Sequence, residues 1–186
     1  EKGLIIFDIS DVENPIFIDS LHVPGNEKFS MQDGYAFLIG SAVFMSVIDV
    51  SNPRNLQAIS NLQLENGGYD IEAYGNFAYI ASTRGLSVLD ISPPTNVNEV
   101  ASLNIGGDTH GISVKGNYAF IANQINGLQV VDISDPLNPV LVTTKQIDGA
   151  AVSVYVSGDY AYVAANESGL HILDVSNYIE NEEQDF

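Results

Sequence analysis

The sequence contains no cysteine, no tryptophan and only six lysines and arginines. Without cysteine there is no disulfide framework and no thiolate-ligated zinc. Six basic side chains against 24 acidic ones leave a formal net charge of −18. A chain this acidic repels phosphate backbones, so nucleic acid and anionic membrane surfaces are poor partners, while metal cations and basic proteins are compatible in charge. No run of about 18 apolar residues is present, so no segment reads as a membrane-spanning helix. No segment holds a helical hydrophobic period either. There is no phosphate-binding loop, no dinucleotide glycine fingerprint, no His-Glu-x-x-His and no EF-hand loop. The chain opens on Glu1, with neither methionine nor a basic-plus-apolar leader, and reads as a processed chain or a fragment.

What is present is enough for a core. Apolar residues make up 45% of the 186 and charged residues 16%, the composition of a folded domain rather than of a disordered chain. One phrase recurs five times: GLIIFDIS at 3–10, FMSVIDVS at 44–51, GLSVLDIS at 85–92, GLQVVDIS at 127–134 and GLHILDVS at 169–176. Its aspartates, Asp8, Asp49, Asp90, Asp132 and Asp174, follow one another at an almost constant interval. A second phrase keeps the same register: GYAFLIG at 34–40, GNFAYIA at 75–81, GNYAFIA at 116–122 and GDYAYVA at 158–164. Two phrases in one register define a structural repeat, with a period of about 41–42 residues.

Each unit reads as four short strands, a to d. Strand a is a brief run such as GISV at 111–114, and a Gly-Asn or Gly-Asp hairpin follows at 75–76, 116–117 and 158–159. Strand b is the Tyr/Phe-Ala-Tyr/Phe run and strand c carries the aspartate. A turn rich in Asp and Pro, such as Ser134–Pro139, leads to strand d. Strands b and c are apolar on both faces, as Phe77, Ala78, Tyr79 and Ile80 show, so each sheet must be covered on both sides. Four-stranded antiparallel sheets, one per repeat, stacked face to face around an axis meet that need. The expected fold is therefore all-β, a β-propeller. The units fall at 3–22 (strands c and d only), 26–64, 67–105, 108–147 and 150–176 (strands a to c), with an acidic tail or linker at 177–186. Five c strands against four d strands point to a partial ring, or part of a larger propeller. Further blades or a second copy would cover its open faces.

The Leu-x-Val-Leu-Asp-Ile-Ser phrase, the Asp-Pro-x-x-Pro turn and the Gly-Asn-Tyr-Ala-Tyr-Ile-Ala phrase resemble the LVIVD repeat family of β-propeller proteins over residues 3 to 176. The resemblance implies a secreted or surface-associated protein, placed outside the cell, in a periplasm or on a cell surface. WD40 and kelch repeats have similar lengths, but the chain has no tryptophan and no Gly-His…Trp-Asp signature. The second unit departs from the pattern, with Ser41–Met45 where the others have a loop ending in Gly-Leu.

Repetition also sorts the candidate site residues. A residue present in every unit serves the fold, and the five strand-c aspartates read as caps on the backbone turn that follows each of them. Polar residues found in one unit only are candidates for function. The d–a loops supply Tyr69 and Asp70, then Asp108, Thr109 and His110; the b–c loops supply Arg84, Gln124 and Glu167. Both loop sets share one face of a propeller, where ligands bind. Tyr69, Asp70, Arg84, Asp108, His110, Gln124 and Glu167 are therefore the expected ligand-binding residues. His110 with Asp70 could hold a divalent cation or act as an acid–base pair, against the plainer reading of an exposed loop histidine. Ser113, His110 and Asp108 lack the nucleophile elbow of a hydrolase triad. No cofactor is called for; the acidic surplus admits Ca²⁺ as a stabilising ion, without a ligand spacing that marks a site. The expected function is a non-enzymatic binding or scaffold module that meets a protein or glycan. The alternatives are a metal-assisted hydrolase or lyase at the central channel and a structural component of a surface layer or filament.

Overall fold

The computed structural model describes residues 3–23, 27–40 and 43–179. It is all-β, with five antiparallel sheets that follow one another along the chain. The first holds two strands, β1 (Gly3–Asp8) and β2 (Ile16–His22). The second runs through β3 (Lys28–Gln32), β4 (Tyr35–Ile39), β5 (Phe44–Asp49) and β6 (Gln57–Gln63). The third comprises β7 (Gly68–Tyr74), β8 (Phe77–Ser82), β9 (Gly85–Asp90) and β10 (Asn98–Asn104). The fourth comprises β11 (Thr109–Lys115), β12 (Tyr118–Asn123), β13 (Gly127–Asp132) and β14 (Val140–Lys145). The fifth stops at three strands, β15 (Ser153–Ser157), β16 (Tyr160–Ala165) and β17 (Gly169–Asp174). Each sheet is a meander, every strand paired with its sequence neighbours, as the a-b-c-d reading requires.

The local chemistry behind the repeat is visible at both kinds of turn. In the a–b hairpin of the third sheet Gly75 takes φ +61° while Asn76 stays at negative φ, the pattern of a two-residue turn with glycine in its first central position. After strand c, each of the five aspartates accepts the backbone amide two residues on. Asp8 bonds the Ser10 amide at 2.9 Å, and Asp49, Asp90, Asp132 and Asp174 do the same to Ser51, Ser92, Ser134 and Ser176 at 2.8–2.9 Å. The side chain thus supplies a partner that the backbone lacks as the chain leaves the sheet. The hydroxyl of the same serine, and after it the amide, holds the carboxyls of Asp49, Asp132 and Asp174 below the usual carboxylate range, while at Asp8 the Ser10 amide leads and the hydroxyl adds to it. A bulge recurs in the same place in the c–d pairs, between Ile6 and Phe7, Val47 and Ile48, and Val130 and Val131.

The cores lie between sheets. Phe37, Ile39, Met45 and Val47 of the second sheet pack against Ile71, Ala78, Ile80 and Leu89 of the third. Tyr79, Leu86 and Val88 then meet Ile112, Ala119 and Ile121 of the fourth, and Phe120, Leu128 and Val130 meet Val154, Ala161 and Val163 of the fifth. In the second, third and fourth sheets strands b and c are buried on both faces, the arrangement their sequences demand. Ser176–Tyr178 forms a single 3-10 turn after β17, and Tyr178 sets its ring edge-on against Tyr118, 5.6 Å between centroids.

No strand pairing joins the first sheet to the fifth among the described residues, so the ring is open. The two end faces show it. Ile5, Phe7, Ile16 and Phe17 are exposed on the first sheet, and Tyr155 (66% exposed), Leu170 and Ile172 on the fifth.

Candidate functional site

Strand a is the inner edge of each complete sheet, and its side chains reach the next blade. Asp70 accepts the Ile112 amide at 3.1 Å and Glu72 accepts the Val114 amide at 2.7 Å. Ser30 does the same for Ala73 at 2.9 Å, and Ser113 for Val156 at 3.2 Å. Backbone donors on one blade's inner edge are thus satisfied by the preceding blade, which blunts an otherwise open strand edge.

In the third and fourth sheets, strand a begins with a bulge. The register shifts between Gly68 and Asp70 and between Thr109 and Gly111, leaving Tyr69 and His110 as the extra residues. The sequence places these two in d–a loops. The structure places them inside β7 and β11, because the bulge carries the ladder two positions further back. Freed from pairing, the two side chains meet across the blade interface: the rings stack with centroids 4.7 Å apart and planes 5° from parallel. Gln124, just past β12, sets its Nε2 2.7 Å from His110 Nε2. With the amide donating, the imidazole accepts at Nε2 and carries its proton on Nδ1. Gln124 is itself anchored, its carbonyl accepting the Ala151 amide of the following blade at 3.0 Å. Tyr69 keeps 37% of its surface exposed.

The same strand, β7, carries a pair of carboxylates, Asp70 and Glu72. Asp70 follows Tyr69, with Lys28 Nζ 3.9 Å from its Oδ1. Burial pushes the Asp70 carboxyl up, against the Ile112 amide and Lys28. Burial raises Glu72 as well, and the Asp70 charge adds to the effect. Sequence reasoning passed over Glu72; its signal was the i, i+2 spacing from Asp70, which puts both acids on one face of a strand. The sign of the pH effect follows. A carboxyl whose folded pKa is raised favours folding when protonated, so this contribution is present below the unfolded pKa and is lost as pH rises through the folded value. Glu72→Gln keeps an oxygen for the Val114 amide and removes the buried charge. In urea titrations it should be more stable than the parent at pH 7, with the difference closing as pH falls toward 4; an equal gap at both pH values would refute the assignment.

Tyr69, His110 and Gln124 therefore come together, with Asp70 alongside. No hydrogen bond or ion pair joins Asp70 to His110 among the described residues, and no three His, Asp or Glu side chains gather as a metal site there. Ser113 is buried and engaged with Val156, so Ser113, His110 and Asp108 do not form a triad. Asp108 is exposed in its d–a loop. Arg84 is exposed on the turn between β8 and β9, and Glu167 lies on the 3-10 turn Asn166–Ser168 between β16 and β17. The d–a and b–c loops do share a face. Asn123 Nδ2 donates to the Gly106 carbonyl and, at 2.5 Å, to Gln129 Oε1, while Gln129 Nε2 donates to the Ile105 carbonyl at 3.2 Å. This buried network ties the loop before β11 to the fourth sheet.

Comparison with known proteins agrees with this geometry. A functionally unknown protein from Desulfotomaculum acetoxidans DSM 771 superposes with a TM-score of 0.78 at 18% identity, covering 92% of this chain and 58% of that one. The β-propeller domain of Myceliophteria thermophila Cps50 (Swd1) gives 0.68 at 12% identity, over 86% of this chain and 55% of its own. The computationally designed Ika4 protein gives 0.64 at 12% identity, over 83% and 93%. At these identities the likeness shows the fold. The chain spans less than two thirds of the first two, and the two coverages make the Desulfotomaculum structure longer than this chain by more than half. No curated protein matches the chain. The LVIVD repeat model matches residues 1–23, 68–105, 106–145 and 148–178, and passes over the second unit, where Phe44 stands in place of the glycine that opens strand c elsewhere. The chain belongs to the LVIVD repeat family.

Proposed function

We propose that the chain is part of a non-enzymatic β-propeller, a binding or scaffold module of a secreted or cell-surface protein, which engages a protein or glycan through the face carrying the d–a and b–c loops. The Tyr69–His110–Gln124 cluster is the observation that carries this reading. Glu27 and Val152 occupy the corresponding positions of other units, so the stack occurs once and the repeat does not need it. An aromatic face held in orientation by a neighbouring imidazole, with an amide and a carboxylate beside it, suits contact with a sugar ring or an apolar side chain. Arg84, Asp108 and Glu167 add charged groups to loops of the same face. No observation favours the hydrolase reading, since His110 Nε2 is committed to Gln124 and Asp70 to the Ile112 amide.

The test separates binding from folding. A stacked aromatic pair contributes about 0.5–1.5 kcal/mol, so Tyr69→Ala and Gln124→Ala should shift the unfolding midpoint little. On a glycan array, or in capture of a partner from the native surroundings, Tyr69→Ala should weaken binding by about 30-fold, the effect of losing a central contact. Unchanged binding by both variants would refute the assignment of this face.

A further inference from the structure

The a–b and c–d turns form the face opposite the loops described above, and between the second and third sheets that face is cleft. A crevice of about 160 Å³ lies there, with Tyr35, Phe37, Ile91 and Pro94 as its apolar walls and Gln32 and Asp33 as polar groups in its lining. Asp33 is exposed, Tyr35 half-buried, and Phe37 and Ile91 buried, so the crevice runs from solvent down to the core that the two sheets share. Both walls belong to complete four-stranded sheets. The polar part is particular to this interface. Where the second sheet closes strand a with Gln32 and Asp33, the third, fourth and fifth have Tyr74–Gly75, Lys115–Gly116 and Ser157–Gly158. Asp33 thus puts a carboxylate where those hairpins have no side chain, at φ +49°, a conformation that aspartate tolerates better than most residues. Gln32 Nε2 donates to Asp33 Oδ2 at 3.3 Å and to the Gly75 carbonyl, so one side chain ties the carboxylate to the hairpin of the next blade.

The corresponding place between the fourth and fifth sheets shows what such a crevice accepts. Tyr118 holds the position of Tyr35, each paired with the strand-c aspartate of its own sheet. Tyr178 holds that of Pro94, each four residues after a strand-c aspartate. There the Tyr178 ring lies edge-on to Tyr118, 5.6 Å between centroids. Pro94 supplies no such ring, and the place beside Tyr35 stays open. Charge selects the occupant. All five c strands end in aspartate on this face, and Asp33 and Asp159 stand in its hairpins. Of the lysines and arginines among the described residues, only Arg54 and Lys115 belong to it, and Lys115 Nζ donates to the Gly158 carbonyl at 3.0 Å. The lining of the crevice holds no positive charge. An arginine side chain answers each feature: its apolar stem packs along proline and tyrosine, its guanidinium stacks on an aromatic face, and its planar fork of donors matches a carboxylate. Lysine shares the charge but not the fork.

We infer that the crevice between the second and third sheets is a second binding site, which takes an arginine side chain from a basic protein segment, with Asp33 as its counter-ion and Tyr35 and Pro94 as its walls. It lies on the face opposite the Tyr69–His110–Gln124 cluster and does not depend on what that cluster binds.

The experiment is a titration of the 186-residue chain with a capped Ala-Arg-Ala peptide, followed by amide NMR shifts. Saturable shifts should appear at Gly75, Asn76 and Ser92, and the same peptide with uncharged citrulline for arginine should bind about fivefold more weakly or worse. Asp33→Asn keeps a residue that tolerates the turn and should weaken binding about fivefold, the order of one charged contact at a surface. Pro94→Tyr copies the Tyr178 arrangement and should weaken it at least as much. Asp159→Asn on the same face and Tyr69→Ala on the opposite one should leave the affinity within about twofold of the parent. Equal losses for Asp33→Asn and Asp159→Asn would make the attraction a diffuse property of the acidic face and overturn the site. So would equal binding of the citrulline peptide, or no saturable shift at the three amides.

Discussion

Phe120→Ala should destabilise the protein by about 3–5 kcal/mol, the cost of deleting a large aromatic from a closed core. Phe120 is wholly buried in β12 and lies in the core between the fourth and fifth sheets. Neighbours there are held by strand pairing on both sides and cannot collapse into the hole, so most of the cavity term remains. Repeat architecture adds a spatial signature. Each sheet contacts only its neighbours, so a weakened interface frees the sheet beyond it. The fifth sheet has three strands and one covered face, and should detach first. Urea unfolding with amide exchange should show β15–β17 losing protection ahead of β7–β10. Uniform loss across all sheets would mean that the interfaces are not the unit of stability.

Gly127→Ala should cost about 4 kcal/mol, in the range reached by few single substitutions. Two effects combine. Gly127 has φ +77°, where a side chain is strained. A Cβ there would also lie 2.3 Å from the carbonyl oxygen of Lys145, the last residue of β14, which the c–d ladder holds in place, and 3.0 Å from the Ile147 amide just beyond it. Gly75→Ala separates the two effects. Its φ is +61°, but nothing lies within 4 Å of the added carbon, so only the conformational cost of about 1–2 kcal/mol applies. Equal losses for both variants, measured by chemical denaturation, would show that strand d does not approach strand c as closely as described.

The architecture was legible in the sequence because its causes are local and repeated. An aspartate that caps its own turn must recur wherever the turn recurs, and Asp8 through Asp174 mark the blades for that reason. Strands apolar on both faces demand cover on both sides, which a fan of sheets provides. The candidate site was legible in its residues but not in its geometry. Tyr69 and His110 stood out as polar or aromatic residues without counterparts in other units, yet nothing in their spacing discloses that two bulges, one repeat apart, bring the rings into a stack. Bulges depend on the pairing register between strands and leave no periodic trace. Glu72 was hidden for another reason. An acid in a strand reads as solvent-facing, and its burial arises from the strand of the next blade lying across it. The Asn123–Gln129 network escaped notice likewise, since its partners include the Ile105 and Gly106 carbonyls, in the loop that precedes the whole fourth sheet.

Spin-label distances test the central claim, that successive sheets fan around a common axis. The absence of cysteine allows pairs of labels at chosen cysteines. Glu13, Arg54, Thr95 and Leu137 are exposed in the equivalent c–d turns of the first four sheets. Distances from Glu13 to the other three should rise by shrinking steps, the third staying below about 2.4 times the first, the chord limit for rings of up to eight blades. A ratio of about 1: 2: 3, the signature of sheets stacked as a straight rod, would contradict the account.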